Sequence, residues 1–331
     1  MRSIHKMNLR LILFCVIVIG TAVWLHVTQQ LFLSDFSEVT MIQCATSRNA
    51  SHLLVYNKTC GVQYWNRRRN FGNKEDVLFF PIMSHGLMPI KGEIIIIEFG
   101  ANTGQFSQAV FNTTHEVPFA VHSLEPVVEL LDLLKNQSLN LKKRQNDKHF
   151  YYNIAISDRS GWLPIYSTKE ASECATLGQG SKLNFVKVAD VVVTTLPAFI
   201  KKYHIKTPIS FIRIDVEGFE PEVVLGMDLK MNAHKFPLFS FETGGTWRDD
   251  RSVLARNVTM KSFITILDNY GYDSFFIGYP YLLPISGTNW DDAFEDFTRA
   301  SNVLCVLRCS KHGENLLKSL QNISLDSCQW Q

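Results

Sequence analysis

The stretch IIIIEFGANTGQFS, residues 94–107, constrains the chain more than any other. Four consecutive isoleucines show no alternation of polar and apolar positions, which marks a strand buried on both faces, as in a parallel sheet covered by helices. A glycine-bearing turn and a polar run follow, the pattern of a strand that delivers a ligand-binding loop to the start of a helix. With 331 residues, 46% of them hydrophobic, the chain can bury one large core. Its formal net charge of +2 lacks the basic excess of a nucleic-acid binder, and the basic runs at 67–69 and 142–144 are too short to change that.

The N-terminus predicts a membrane anchor. Arg2, Lys6 and Arg10 precede Leu11–Val27, a run without Asp, Glu, Lys or Arg. Its length sits at the short end of the roughly 17–25 residues that span a bilayer. It ends in Trp24, Leu25 and His26 instead of the small residues of a cleavage site. The expected organisation is a cytosolic tail over 1–10, an uncleaved signal anchor over 11–28, and a type II arrangement with the remainder in the lumen of the endoplasmic reticulum or Golgi, or at the cell surface. Glycosylation sequons at Asn49, Asn57, Asn112, Asn136, Asn257 and Asn322 agree with that side of the membrane. So do Cys44, Cys60, Cys174, Cys305, Cys309 and Cys328, an even set compatible with disulfides. Cys305 lies in the apolar run NVLCVL and reads as a buried strand residue.

Residues 29–90 read as a stem and lead-in segment, 91–310 as the folded domain, and 311–331 as an extension. From Glu93 onward, short apolar runs alternate with helix-length amphipathic ones, predicting a doubly wound α/β fold. Strands are expected at Ile94–Phe99, Phe119–Leu124, Tyr151–Ser157, Ile209–Ile214 and Pro237–Glu242, with two late ones in DSFFIG and NVLCVL. Helices are expected near Thr103, after Pro126, over LPAFIKKY, after Gly218 with Pro221 in its first turn, and over 260–269. GWLPIYS reads as a hairpin followed by a loop through Gly178 and Gly180.

In an open parallel sheet, ligands bind beyond the carboxyl ends of the strands. That edge collects Glu98 and Gly100, Glu125, Ser157 and Asp158, Asp215 and Glu217, and Glu242. Clustered carboxylates repel one another, so stability alone does not explain the row. A glycine turn followed by an acid about twenty residues later suits a dinucleotide or S-adenosylmethionine, whose ribose Glu125 would hold. A pyrophosphate needs glycine in mid-turn, and GANTG has Asn102 between Gly100 and Gly104, which favours S-adenosylmethionine. Asp215 is placed to accept a proton from an acceptor hydroxyl or to orient it, or to share a hard cation with Glu242, and no metal is assigned. Glu220 and Glu222 read as acids in a helix first turn.

The ordered set IIIIEFGANTGQFS, HSLEP, NIAISDRSG, VVVTTLPAFI and FIRIDVEGFEPEVVLG resembles the FkbM family of methyltransferases over about residues 92–308. The resemblance implies a class I methyltransferase, Rossmann-like fold with strand order 3-2-1-4-5-7-6, S-adenosylmethionine as donor, and O-methylation of a glycan or small hydroxyl-bearing acceptor. By motif, Glu98, Gly100, Asn102 and Gly104 match the donor turn, Glu125 the ribose acid, and Ser157 with Asp158 the region flanking adenine. Asp215, Glu217 and Gly218 match the fourth-strand motif, and Asp215, Glu217 and Glu242 are the catalytic candidates. Leu196-Pro197 stands where the family commonly has Leu-Asp, removing an acid better suited to capping a helix than to chemistry.

Other features carry less. His85, His122 and His204 read as packed or surface histidines. ETGGTW is a candidate lid or acceptor site in which Trp247 would stack on a sugar, and SGTNWDDAFEDFT is an acceptor-side lid or an acidic loop. An FkbM-like lumenal protein that serves in trafficking or recognition without turnover is the rival reading, and a nicotinamide-dependent dehydrogenase is a third. The oligomeric state is not legible.

Overall fold

The computed structural model describes residues 54–55, 80–81, 83–168, 171–178, 185–244, 247, 258–277, 281–296 and 301–319. The chain divides into two units, Met1–Arg48 and Asn49–Gln331, and every described residue belongs to the second. The anchor expected over 11–28 lies outside the described residues, among which no helix is long and apolar enough to cross a membrane.

A two-residue strand, β1 (Leu54–Val55), precedes β2 (Ile94–Phe99), which is buried at all six positions. After β2 come α1 (Gln105–Asn112), the equally buried β3 (Phe119–Leu124), α2 (Val128–Ser138) and β4 (Lys148–Tyr152). The chain then leaves this sheet through β5 (Ala155–Ile156), β6 (Gly161–Thr168), β7 (Ala171–Thr176) and β8 (Phe185–Thr194). It returns by α3 (Leu196–Tyr203), β9 (Phe211–Ile214), α4 (Glu220–Gly226), the single turn α5 (Leu229–Asn232) and β10 (Leu238–Thr243). Last are α6 (Met260–Asn269), β11 (Tyr272–Ile277), β12 (Tyr281–Pro284), β13 (Ser301–Leu307) and α7 (Lys311–Ser319).

The main sheet runs β1-β12-β11-β13-β10-β9-β2-β3-β4. It has nine strands where seven were expected, because β12 and β1 add to the edge beyond β11. The five strands β10, β9, β2, β3 and β4 are parallel neighbours, whereas β13 runs antiparallel to both β10 and β11. Ile94 and Ile96 of β2 lie in one apolar cluster with Phe106, Val110 and Phe111 of α1 and Leu316 and Leu317 of α7. Phe80, Met83 and Leu87 from the lead-in segment join the same cluster, so the folded core draws on chain from both sides of 91–310. Each such side chain contributes about 1.5–3 kcal/mol by leaving water.

The strand expected over Tyr151–Ser157 is in fact two. β4 stays in the main sheet, and β5 joins a second sheet of order β5-β8-β6-β7. Asn153 stands at the break, where its side-chain amide donates to the carbonyls of Glu125 (3.1 Å) and Pro126 (2.8 Å). GWLPIYS, expected as a hairpin, lies within β6 of this second sheet, and of the loop expected through Gly178 and Gly180, Gly178 follows β7 while Gly180 lies outside the described residues. β8 escapes a sequence reading because Val186, Lys187, Val188, Ala189 and Asp190 are all exposed, and its buried residues are only Val191 and Val193.

Described residues of the two lid candidates are packed into the fold. Trp247 is fully buried, stacked on Phe241 at 5.9 Å and edge-on to Phe263 at 5.4 Å, and its indole N–H donates to the Glu242 carbonyl at 3.1 Å. No sugar can stack on it there. In the acidic tract, Glu295 accepts from the N–H groups of Met260 (2.7 Å) and Lys261 (3.0 Å), closing the start of α6, while Phe294 packs on Phe276. The Leu196-Pro197 departure is harmless, since Thr195 caps α3 by accepting from Ala198 N–H and a proline in the first turn loses no helical bond. Of the six cysteines outside the expected anchor, Cys305 is a free, buried thiol and Cys309 is disulfide-bonded, so the even set does not pair throughout. His122 is packed against Phe150 and Tyr152, as anticipated, and burial pushes its pKa down to about 4.

Replacing Trp247 with Ala should destabilise the domain by about 3–5 kcal/mol. Urea titration followed by circular dichroism measures this, and an unchanged midpoint would mean that the indole is not in the core.

Candidate functional site

β2, β3, β9 and β10 all point their carboxyl ends at one cavity of about 250 Å³. Its walls are residues 98–102 at the end of β2 and in the loop beyond it, 124–126 at the end of β3, 154–156 where the chain enters the second sheet, 215–217 after β9, and Glu242 on β10. Ile165, Ala175 and Leu177 of the second sheet close an apolar side that includes Leu130 and Ile156.

The loop after β2 turns through three left-handed residues, Gly100 (φ 71), Asn102 (φ 50) and Gly104 (φ 89). Gly100 answers to the chain as much as to any ligand: a Cβ there would lie 1.7 Å from the Asp215 carbonyl oxygen. The loops after β2 and β9 therefore touch only because this residue has no side chain. A Cβ on Gly104 would sit 2.3 Å from Leu134 Cδ1, so that glycine lets α1 begin against α2. Asn102 accepts from the Thr103 N–H at 2.7 Å through its own Oδ1, a local bond that suits Asn to the left-handed region.

Glu125 is fastened on both oxygens. Oε2 accepts from the Asn102 N–H at 2.8 Å and Oε1 from the Val127 N–H at 2.9 Å. Each carboxylate oxygen has a second lone pair for a ligand hydroxyl. Burial pushes the Glu125 pKa up to about 7 against those two bonds, which favour the ionised form.

Glu98 is completely buried. Its Oε2 accepts from Ser107 Oγ (2.6 Å) and Ser123 Oγ (3.2 Å), and Ser123 reaches His149 Nε2 at 2.9 Å. Its Oε1 faces Arg213 Nη1 at 3.6 Å and makes no hydrogen bond. Burial outweighs the guanidinium and brings the pKa up to about 7. Arg213 Nη2 donates to Asp215 Oδ2 at 2.6 Å, and its guanidinium carbon stands 5.3 Å from the centre of the Phe106 ring. Arg213 was missing from the expected site. Its signal is the alternation in Ile212-Arg213-Ile214-Asp215, which puts the cation and the acid on one face of a strand.

The acids after β9 and β10 crowd together. Glu217 has a left-handed backbone (φ 56), and burial, then Asp215 and Glu220, push its pKa up to about 8. Glu242 is driven well above its ordinary value by burial and then by Asp215, Glu217 and Glu220. Glu220 does act in the first turn of α4, accepting from the N–H groups of Val216 (2.9 Å) and Gly218 (3.3 Å) through Oε1, yet it is also fully buried among these acids. One oxygen each from Asp215, Glu220 and Glu242 lies within 4.8 Å of the others.

Eight of the ten expected site residues thus gather at this edge. Seven of them line the cavity, and Gly104 lies behind it, outside the wall. Ser157 and Asp158 do not line it. Ser157 Oγ donates to Asp158 Oδ1 at 2.9 Å, and its backbone is covered by Gly226, where a Cβ would come within 2.0 Å of the Ser157 carbonyl oxygen. Ile154, Ala155 and Ile156 form the wall instead, because β5 has turned into the second sheet.

The chain matches the methyltransferase FkbM domain over residues 98–274. No curated protein matches it. Among solved structures it is similar to the methyltransferase FkbM from Methylobacillus flagellatus KT, at 15% identity and a TM-score of 0.37. That match covers 75% of this chain and 58% of the other, so the chain spans a little over half of that protein's length. It is also similar to a SAM dependent methyltransferase from Aquifex aeolicus (11% identity, TM-score 0.34, 76% of this chain and 99% of that one). A third is the precorrin-6y C5,15-methyltransferase from Geobacter metallireducens GS-15 (9% identity, TM-score 0.33, 68% and 86%). The domain match takes in more than half of the 331 residues, beginning at the buried Glu98 and running past Glu242 through both loops that shape the cavity, and the chain belongs to the methyltransferase FkbM domain family.

Proposed function

We propose that this protein moves a methyl group from S-adenosylmethionine to a hydroxyl oxygen, on a glycan or another acceptor of the secretory pathway. The observation that carries the reading is the pairing, on one cavity wall, of Glu125 with its two backbone donors and Glu98 with a buried oxygen that no hydrogen bond satisfies. The residues present fit the donor. Glu125 would hold the ribose hydroxyls, Glu98 Oε1 would meet the ammonium of the methionine moiety, and Leu130, Ile156, Ile165 and Leu177 offer an apolar slot for adenine. When bound, the donor supplies an electrophilic methyl group on a positively charged sulfur. A cavity lined with acids is electrostatically suited to such a cation.

Arg213 fixes the Asp215 carboxylate through Oδ2, and Asp215 and Glu242 together would orient the acceptor hydroxyl and take up its proton. Glu217, on the same wall, adds negative charge beside them. The secretory setting is supported by the charge pattern around 11–28, by the disulfide at Cys309, and by the exposure of the sequon residues Asn112 and Asn136.

Calorimetry on the full chain should detect S-adenosylmethionine binding that Gly100→Ala and Glu125→Ala each abolish. The Ala methyl in the first would collide with the Asp215 carbonyl, and the second leaves the Asn102 and Val127 N–H groups without their acceptor. Wild-type protein that takes up no donor would sink the proposal.

The pH dependence has a definite sign. Glu98 and Glu125 keep protons in the folded, donor-free site up to about pH 7, above the ordinary value of 4.5. The stability they contribute is fully present below pH 4.5 and is lost as pH rises through about 7. Donor-free protein should therefore resist urea better at about pH 5.5 than at about pH 8, and the rise in melting temperature on adding donor should be larger at the higher pH. Glu98→Gln should narrow both differences, and a variant that keeps the full wild-type dependence would remove Glu98 from this account.

A further inference from the structure

We infer that Asp215, Glu220 and Glu242 hold a hard divalent cation beside the cavity, an inference that rests on the methyl-transfer reading above and gives its acceptor side a metal. The three carboxylates come from the end of β9, the first turn of α4 and β10, and present one oxygen each within a 4.8 Å span. Oxygens bound at about 2.0–2.6 Å around one Mg²⁺, Mn²⁺ or Ca²⁺ ion lie roughly 3–5 Å from each other, so the spacing suits one ion without rearrangement.

A second observation is independent of the clustering. Glu220 has no exposed surface, its Oε1 is used by the Val216 and Gly218 N–H groups, and its Oε2 is buried without a hydrogen-bond partner. A buried carboxylate oxygen left unsatisfied is costly, and the structure keeps this one among like charges. Arg213 does not relieve it, for its guanidinium reaches Asp215 Oδ2 and the neighbourhood of Glu98. A divalent ion would satisfy Glu220 Oε2 and offset the repulsion between Asp215 and Glu242 at once.

The ligand set says which ions. With carboxylate oxygens and neither Cys nor His, the site suits Mg²⁺, Mn²⁺ or Ca²⁺ over zinc or copper. Three carboxylates leave coordination positions over, and Asp215 and Glu242 also line the cavity, so an acceptor hydroxyl entering it could complete the sphere. An oxygen held that way gives up its proton more readily.

Mn²⁺ is the probe. Electron paramagnetic resonance titration of the full chain should show about one bound Mn²⁺, competed by Mg²⁺, and Glu220→Gln and Glu242→Gln should each weaken binding on the order of tenfold or more. In Glu220→Gln the amide oxygen can still accept from Val216 and Gly218, so the turn keeps its bonds. As a readout that needs no variant, Mn²⁺ but not an equal ionic strength of Na⁺ should raise the wild-type melting temperature. Wild-type protein that binds no Mn²⁺, or two variants that bind it as tightly as wild type, would overturn the inference. Donor titration in EDTA separates the two readings: donor bound with no Mn²⁺ site removes the cation alone, and Mn²⁺ bound with no donor removes the methyl-transfer reading and leaves the cation site.

Discussion

The site depends on one buried cation. Arg213 lies on β9, between the β2 acid Glu98 and Asp215 at the end of its own strand, with its guanidinium on the Phe106 ring of α1. Two central strands and the first helix therefore meet at a charge that is largely buried and opens only on the cavity. Taking acids out of water carries a large desolvation penalty unless a partner and hydrogen bonds offset it, and Arg213 with Ser107 and Ser123 offsets only part of it for Glu98, whose pKa still rises to about 7. Glu217, Glu220 and Glu242 are buried beside Asp215 and one another, and burial and then the neighbouring carboxylates drive their pKa values upward.

The second constraint is steric. The turn after β2 and the turn after β9 are separated in sequence by more than a hundred residues, yet Gly100 sits where any side chain would strike the Asp215 carbonyl. The loop after β2 and the acid corner are thus built as one object, and the Asp215 N–H closes the contact by donating to the Phe99 carbonyl at 3.1 Å. Glu125 extends the same object across β3 by taking the Asn102 N–H. Glycine at residue 100 therefore holds the walls of the cavity in register, whatever it also does for a ligand's approach.

Much of this was legible in the chain. β2 and β3 have the bounds expected of them, because strands buried on both faces read as near-continuous apolar runs even with Glu98 in the one and His122 and Ser123 in the other. The late strands β11 and β13 fall within a residue of their apolar runs, and Glu98, Gly100, Glu125, Asp215 and Glu242 were placed on the right edge by the rule that loops follow the carboxyl ends of parallel strands. What escaped had a physical cause in each case. β8 is exposed over half its length and so lacks a buried period, β5 is too short to carry one, and Trp247, set in a glycine-bearing run, has the local look of an exposed residue while filling the core against Phe241 and Phe263. Ser157 and Asp158 were assigned to the wall on the assumption of one continuous third strand, and the Asn153 break moves them off it.

By itself, the sequence determined the class of fold and the identity of the strand-end acids, since periodicity and apolar run length are local properties that a chain displays before it folds. It also determined the charge pattern at the N-terminus, on which the expectation of a membrane anchor rests. Only the tertiary structure decided which acids meet. Glu220 reads as a helix-turn residue until β10 brings Glu242 beside Asp215, and Arg213 reads as one cation in an apolar strand until β2 sets Glu98 next to it. The reason is that electrostatic environment depends on distances between segments far apart along the chain, and no local pattern encodes those distances.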